Sequence, residues 1–136
     1  MYKEFIPYEQ ALELKELGFN EECFGFYNPF HELETLRKEV LYDVDGGVFK
    51  HWNEDRYSLV AAPLYQQAFR WFREKYNLQS HIFLTYEGVT TNEHNEYAFA
   101  TLRAGGYDYV IDDDNYTYEE TELACLKKLI EIAKTK

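Results

Sequence analysis

Residues 62–76, APLYQQAFRWFREKY, form the segment that decides the fold. Pro63 suits the first turn of a helix, because the N–H that proline lacks has no partner there in any case. With successive side chains about 100° apart, the apolar residues of the segment fall on one side of the helix and the polar residues on the other. The pattern predicts an amphipathic helix that packs one face on a core and ends near Asn77.

The hydrophobic period changes to two directly after this helix. Stretches at 81–86, 96–103 and 107–111 are rich in aromatic and β-branched residues, which favours three strands. Gly105-Gly106 predicts a turn between the second and third of them. Connections this short favour antiparallel pairing.

A helix is predicted near each end of the chain. At the start, Pro7 suits the first helical position and Gly18 is typical of a C-terminal cap, with one apolar stripe between them (Ala11, Leu14, Leu17). At the end, residues 117–120 match a capping box, in which the Thr117 oxygen accepts from the Glu120 backbone N–H. The sequence therefore predicts three helices in all.

Between the first helix and Pro63, the sequence patterns that predict secondary structure are weaker. Residues 22–27 predict a short strand, and 50–58 predict a polar loop. Residues 40–44 and 48–49 flank Asp45-Gly46-Gly47 and favour a hairpin, although helical spacing also occurs here (Leu33, Leu36, Val40). The order of elements predicts a single α+β domain over 1–136, an antiparallel sheet with about three helices mainly on one face.

The net negative charge of the chain argues against some classes of binding partner. The chain has 25 acidic and 14 basic residues and a net charge of −11, and residues 1–50 alone carry 11 acids and 5 bases. Nucleic-acid binders and proteins that dock on anionic membranes gain affinity from clustered Lys and Arg. We therefore expect neither nucleic acid nor a membrane as a partner.

No apolar run approaches the roughly 18 residues of a membrane span, and the first residues lack a signal-peptide pattern, so we expect a cytoplasmic protein.

Cysteine and histidine give no signature of a metal or cofactor. Cys23 and Cys125 are 102 positions apart, which favours two reduced, partly buried thiols over a disulfide scaffold. The four histidines are scattered, and neither cysteine has a CxxC partner, so we expect no metal. The acids of 112–114 are adjacent rather than alternate, which favours a solvated turn over a calcium loop.

Motifs for catalysis are also missing. The chain has no Gly-x-Ser-x-Gly elbow and no phosphate-binding glycine loop. Cys125 lies on the apolar side of the last helix, where a thiol is usually protonated and inert. We expect a protein that is not an enzyme and binds no cofactor.

Aromatic residues are the unusual feature of the composition. Thirteen Tyr, ten Phe and two Trp make 18% of the chain, more than a core of this size can bury entirely. One interpretation places the tyrosine rings inside with their hydroxyls at the surface. The other leaves some rings exposed as anchors for a partner. In so acidic a chain, an anionic ligand would engage arginine beside such rings, and the candidate binding residues are Arg103, Tyr107, Arg56, Arg70 and Arg73.

Three helical stretches resemble small uncharacterised proteins of bacteriophage and prophage gene sets. They are residues 5–12 with 17–19, residues 62–76, and residues 117–120 with 123–131, together 39 of the 136 residues. The group has no assigned activity, so the resemblance transfers no site residue and implies only a phage or mobile-element context.

Residues 63–134 also follow the element order of double-stranded RNA-binding domains. Glu119-Glu120 replaces the basic cluster those domains carry there, which argues against RNA binding.

These observations lead to three hypotheses. The first is a non-enzymatic intracellular binding protein, a phage or mobile-element accessory protein that binds a host protein or a small anionic ligand. The second is an acidic DNA mimic or decoy inhibitor that occupies a basic site on a host protein. The third is an enzyme with an unrecognised site, which requires a deep pocket of convergent titratable groups. Surplus aromatics leave both a monomer and a homodimer open.

Overall fold

A computed structural model describes residues 3–35, 53, 58–84, 97–103 and 117–135, together with the backbone of 110–112. The chain divides into two compact units, Met1–Leu64 and Tyr65–Lys136. Each unit combines helix with antiparallel strands, and the predicted α+β class is confirmed. The strands are shared between two three-stranded sheets, one in each unit. No helix among the described residues is both long enough and apolar enough to cross a bilayer.

The first unit is built from one helix and one sheet. Helix α1 spans Tyr8–Glu16, and the strands are β1 at Gly25–Tyr27, β2 at Leu33–Thr35 and β3 at Val60–Ala62. Strand β1 is central and pairs with both neighbours in antiparallel register. Helix α1 packs against β3. The fully buried core of this unit includes apolar residues of both elements and two that flank the helix (Ile6, Ala11, Leu14, Phe19, Ala61, Ala62).

Both ends of α1 follow from local sequence. Pro7 is the N-cap, so the helix begins one residue later than predicted, at Tyr8. At the other end, Gly18 has φ 96°, a conformation that glycine adopts without strain. The Gly18 N–H donates to the Lys15 carbonyl at 3.0 Å, and the Phe19 N–H donates to the Leu14 carbonyl at 2.9 Å. This pair of bonds is a Schellman motif, and it turns Phe19 back into the core, where its side chain is buried.

The second unit is built from two helices and one sheet. Helices α2 and α3 span Tyr65–Tyr76 and Tyr118–Lys134, and the strands are β4 at Leu78–Leu84, β5 at Tyr97–Arg103 and β6 at Val110–Asp112. The order is β4-β5-β6, which places β4 at an edge. The two helices contact each other and the sheet, so they lie side by side on one face. Thr117 caps α3 by accepting from the Glu120 N–H at 3.0 Å, as the capping box predicts.

Local differences from the sequence predictions have simple causes. Asn77 has φ 56° and reverses the chain in one residue, so β4 begins at Leu78 rather than at 81. Leu33 lies on a strand and not on the helix its spacing allowed, because it pairs with Tyr27 across a hairpin. Strand β3 was not predicted. Its three residues are all buried, so the alternation that marks a strand is absent. The hairpin around 45–47 and the turn at 105–106 lie outside the described residues.

Candidate functional site

The loop of residues 28–32 joins β1 to β2 and is bonded internally. The Asn28 side-chain oxygen accepts from the Phe30 N–H at 2.9 Å and from the Glu32 N–H at 3.0 Å. The Asn28 backbone N–H donates to the Glu32 carbonyl at 3.0 Å, and the His31 N–H donates to the Asn28 carbonyl at 2.8 Å. Asparagine is suited to this position because its short side chain bonds backbone groups a few residues ahead. We call residues 28–32 the recognition loop.

Aromatic contacts attach the recognition loop to the core of its unit. The His31 ring stacks on the Tyr8 ring, with centroids 3.8 Å apart and planes 16° apart. Tyr8 in turn meets the Tyr27 ring edge to face at 5.5 Å. The buried Tyr27 hydroxyl donates to the Ile6 carbonyl at 2.6 Å. His31 adopts φ 65°, a conformation that costs a non-glycine residue about 1–2 kcal/mol, and these contacts offset that cost.

Phe30 lies in this fixed loop with 82% of its surface exposed. Its neighbours in the hairpin, Glu32 and Glu34, are exposed carboxylates, and the Asn28 amide nitrogen lies 3.4 Å from a Glu34 carboxylate oxygen. An apolar ring is thus presented to solvent beside negative charge, on a backbone with little freedom to fold the ring away. This arrangement can insert a ring into an apolar pocket whose rim is positively charged.

Most of the other described aromatic side chains are buried or half-buried. Of sixteen described aromatic residues, seven are buried, six are half-buried and three are exposed. The exposed ones are Phe24 at 45%, Phe30 at 82% and Tyr118 at 39%. Tyr27 follows the interpretation in which the ring is inside, although its hydroxyl bonds to backbone rather than to water. The expected surplus of exposed rings therefore comes down, within the described chain, to these three positions.

The three predicted arginines that the structure describes do not line one common site. Arg70 and Arg73 are exposed on α2, and Arg103 is half-buried at the end of β5, in register with Leu78. Arg73 lines a cleft in the second unit, and neither Arg70 nor Arg103 is among the residues that line it. Arg56 and Tyr107 lie outside the described residues, as does the corner that Arg103 was expected to form with the Gly105-Gly106 turn.

Neither cysteine has the environment of a nucleophile. Cys23 and Cys125 are both buried thiols without a disulfide, as predicted. Burial raises the pKa of the Cys125 thiol to about 12, with Glu122 adding to the increase and a hydrogen bond with Ser80 opposing it. The thiol is therefore protonated at neutral pH. The described residues include no cluster of three or more His, Cys, Asp or Glu able to hold a metal ion.

Sequence reasoning missed the recognition loop, because Asn28-Pro29 indicates only where a strand ends. The signal that could have found it is an aromatic residue directly after Asn-Pro and before two glutamates. Asn-Pro favours turn initiation, and a turn exposes the residues that come after it.

No known family model matches the chain, and neither the curated proteins nor the solved structures include one with detectable similarity to it.

Proposed function

We propose that this protein is a non-catalytic binding protein whose recognition loop docks on a partner protein. The observation that carries the proposal is the exposure of Phe30, 82%, on a loop held by four hydrogen bonds. A ring kept in solvent by a fixed backbone is typical of an interface anchor, because the ordering cost of binding has been met during folding. The partner surface that fits is an apolar pocket.

The energy available from Phe30 is enough to matter for binding. Complete burial of a phenylalanine side chain is worth about 1.5–3 kcal/mol, and 82% of the residue surface remains to be buried. The ring can therefore contribute about 1.2–2.5 kcal/mol, or about 8- to 70-fold in affinity.

Charge indicates what surrounds the pocket on the partner. Glu32 and Glu34 are exposed in the same hairpin as Phe30, and residues 1–50 carry a net charge of −6. Basic side chains around the pocket would be attracted to this surface, and acidic ones would be repelled. The proposed partner is therefore a protein with an apolar pocket and a basic rim.

The biological setting proposed is a phage or mobile element, with the protein acting inside the host cell on a host protein. This part rests on the resemblance of the three helical segments to phage and prophage proteins. The mode of action would be occupation of the partner's pocket.

The test is site-specific photo-crosslinking in bacterial cells, with a benzoylphenylalanine at position 30. The matched control carries the same group at position 24, another exposed phenylalanine of the first unit. We expect one protein to be cross-linked at position 30 and not at 24. Its identification should show an apolar pocket with a basic rim, and the purified protein should bind the wild-type chain.

Three results would contradict the proposal. Equal cross-linking at both positions would mean contact without a specific anchor. Cross-linking only to a second copy of the chain would make the loop a homodimer contact. Binding that survives Phe30→Ala but is lost in Glu32→Gln with Glu34→Gln would favour an acidic decoy over an aromatic anchor.

A further inference from the structure

The second unit contains a cleft that the recognition loop does not explain. It has a volume of about 130 Å³ and lies where α2, the edge strand β4 and the start of α3 meet. Ligand sites for drug-sized molecules run from about 300 to 1,000 Å³. The cleft is therefore suited to a compact ligand.

The residues that line the cleft lie on matching faces of α2 and β4, as their spacing along the chain requires. Gln66, Phe69 and Arg73 are three and four residues apart on α2, so they share one face of the helix. Ser80 and Ile82 project from the same face of β4, because side chains two residues apart in a strand point the same way. Tyr118 closes the cleft from the first residue of α3.

The polar groups of the lining set can pair with a negatively charged ligand. Arg73 is the charged member, and none of the described residues that line the cleft is an acid. That composition is notable in a chain with 25 acidic residues. Gln66, His81 and the Tyr118 hydroxyl can each donate a hydrogen bond, so a bound anion would meet donors from α2, β4 and α3.

Of the two hydroxyls that line the cleft, the Tyr118 hydroxyl is the one available as a donor. The hydrogen bond between Ser80 and the buried Cys125 thiol lowers the pKa of the thiol, so the Ser80 hydroxyl donates to the sulfur. Burial, followed by Glu122, raises the pKa of Tyr118, so the Tyr118 hydroxyl keeps its proton. The Tyr118 ring is held edge to face by Tyr97, with centroids 5.5 Å apart.

Two apolar side chains also line the cleft. Phe69 is 5% exposed and Ile82 is half-buried, and both line the cleft. One guanidinium matches a single carboxylate group in charge and in fork geometry. We propose that this cleft binds a compact organic carboxylate, with the carboxylate at Arg73 and Tyr118 and the apolar body on Phe69 and Ile82.

The test is a titration of the full chain with sodium benzoate, followed by ¹H–¹⁵N NMR. We expect saturable shifts at the backbone amides of Phe69, Arg73, Ser80, His81 and Tyr118, with a Kd on the order of 1 mM for so small a ligand. Arg73→Gln should raise the Kd by about tenfold or more, as expected for loss of a charge-assisted contact. The matched control is Arg70→Gln, on the same helix but outside the cleft, and it should leave the Kd within about twofold of the wild type.

Neutral and inorganic probes separate the two parts of the proposal. Benzamide should bind much more weakly than benzoate, because it lacks the charge. Inorganic phosphate should also bind more weakly, because it lacks the apolar body. Shifts that are absent for benzoate, equal for benzamide, equal for phosphate or unchanged by Arg73→Gln would each overturn the assignment. None of these results depends on the recognition loop, which belongs to the other unit.

Discussion

Replacing Asn28 with alanine tests whether the recognition loop is held in place by its own side chain. The substitution removes the oxygen that accepts from the Phe30 and Glu32 N–H groups at 2.9 and 3.0 Å. Each bond is worth about 0.5–1.5 kcal/mol, and at an exposed site we take about 1–2 kcal/mol for the pair. If the free energy of local opening falls by that amount, the two amides should exchange with solvent about 5- to 30-fold faster.

The assay is amide hydrogen exchange followed by NMR, with Asn28→Asp as the matched control. Aspartate keeps the accepting oxygens but replaces the amide contact to Glu34 with repulsion between two carboxylates. Because a charged acceptor strengthens the bonds from the Phe30 and Glu32 N–H groups, the two amides should stay within about threefold of the wild-type rate. Amides of the second unit should be unaffected in both variants. Equal exchange at Phe30 and Glu32 in the wild type and in Asn28→Ala would refute the account of a fixed loop.

Three further predictions concern stability, each measured by urea unfolding. Tyr27→Phe should lower the free energy of unfolding by about 1–2 kcal/mol, because the buried Ile6 carbonyl loses its 2.6 Å donor; no loss would mean that this carbonyl finds another partner. Thr117→Ala should cost about 1 kcal/mol by removing the cap on the Glu120 N–H, whereas Thr117→Ser should cost much less, and equal losses would contradict a capping role. The Cys125 thiol has a pKa of about 12 in the folded chain against an ordinary value of 9.0. The unfolded chain therefore ionises first, so this contribution to stability is complete below pH 9 and is lost as the pH rises from 9 toward 12. The wild type should lose stability relative to Cys125→Ala by up to about 1.4 kcal/mol per pH unit in that window; parallel pH curves would contradict it.

Elements set by local chemistry could be predicted from the sequence. The two ends of α1 and the cap of α3 depend on residues within a few positions of each other, and Gly18 and Thr117 act there as expected. Strand β5 was predicted almost to its bounds. Strands β2 and β3 were not, because each has only three residues and is defined by its pairing with β1. The partner of β2 is reached through the 28–32 loop, whereas β3 pairs residues 60–62 with residues 25–27, a contact between distant parts of the chain.

The candidate sites were harder to predict, for the same reason. Arg73 was expected to bind an anion, but its neighbours Ser80 and Tyr118 come from other elements and no local pattern connects them. Phe30 was counted within an aromatic surplus without being singled out. Its exposure depends on Asn28 bonding forward and on His31 stacking on Tyr8, and composition contains no information about either contact.

The most direct test of the central claim is the affinity of the cross-linked partner for the Phe30→Ala variant, measured by calorimetry with purified proteins. We expect the Kd to rise by about 8- to 70-fold, as calculated from the exposed surface of Phe30. Phe24→Ala should leave the Kd within about twofold of the wild type. A Kd that is unchanged by Phe30→Ala, or changed equally by both substitutions, would contradict the claim that the recognition loop is the anchor.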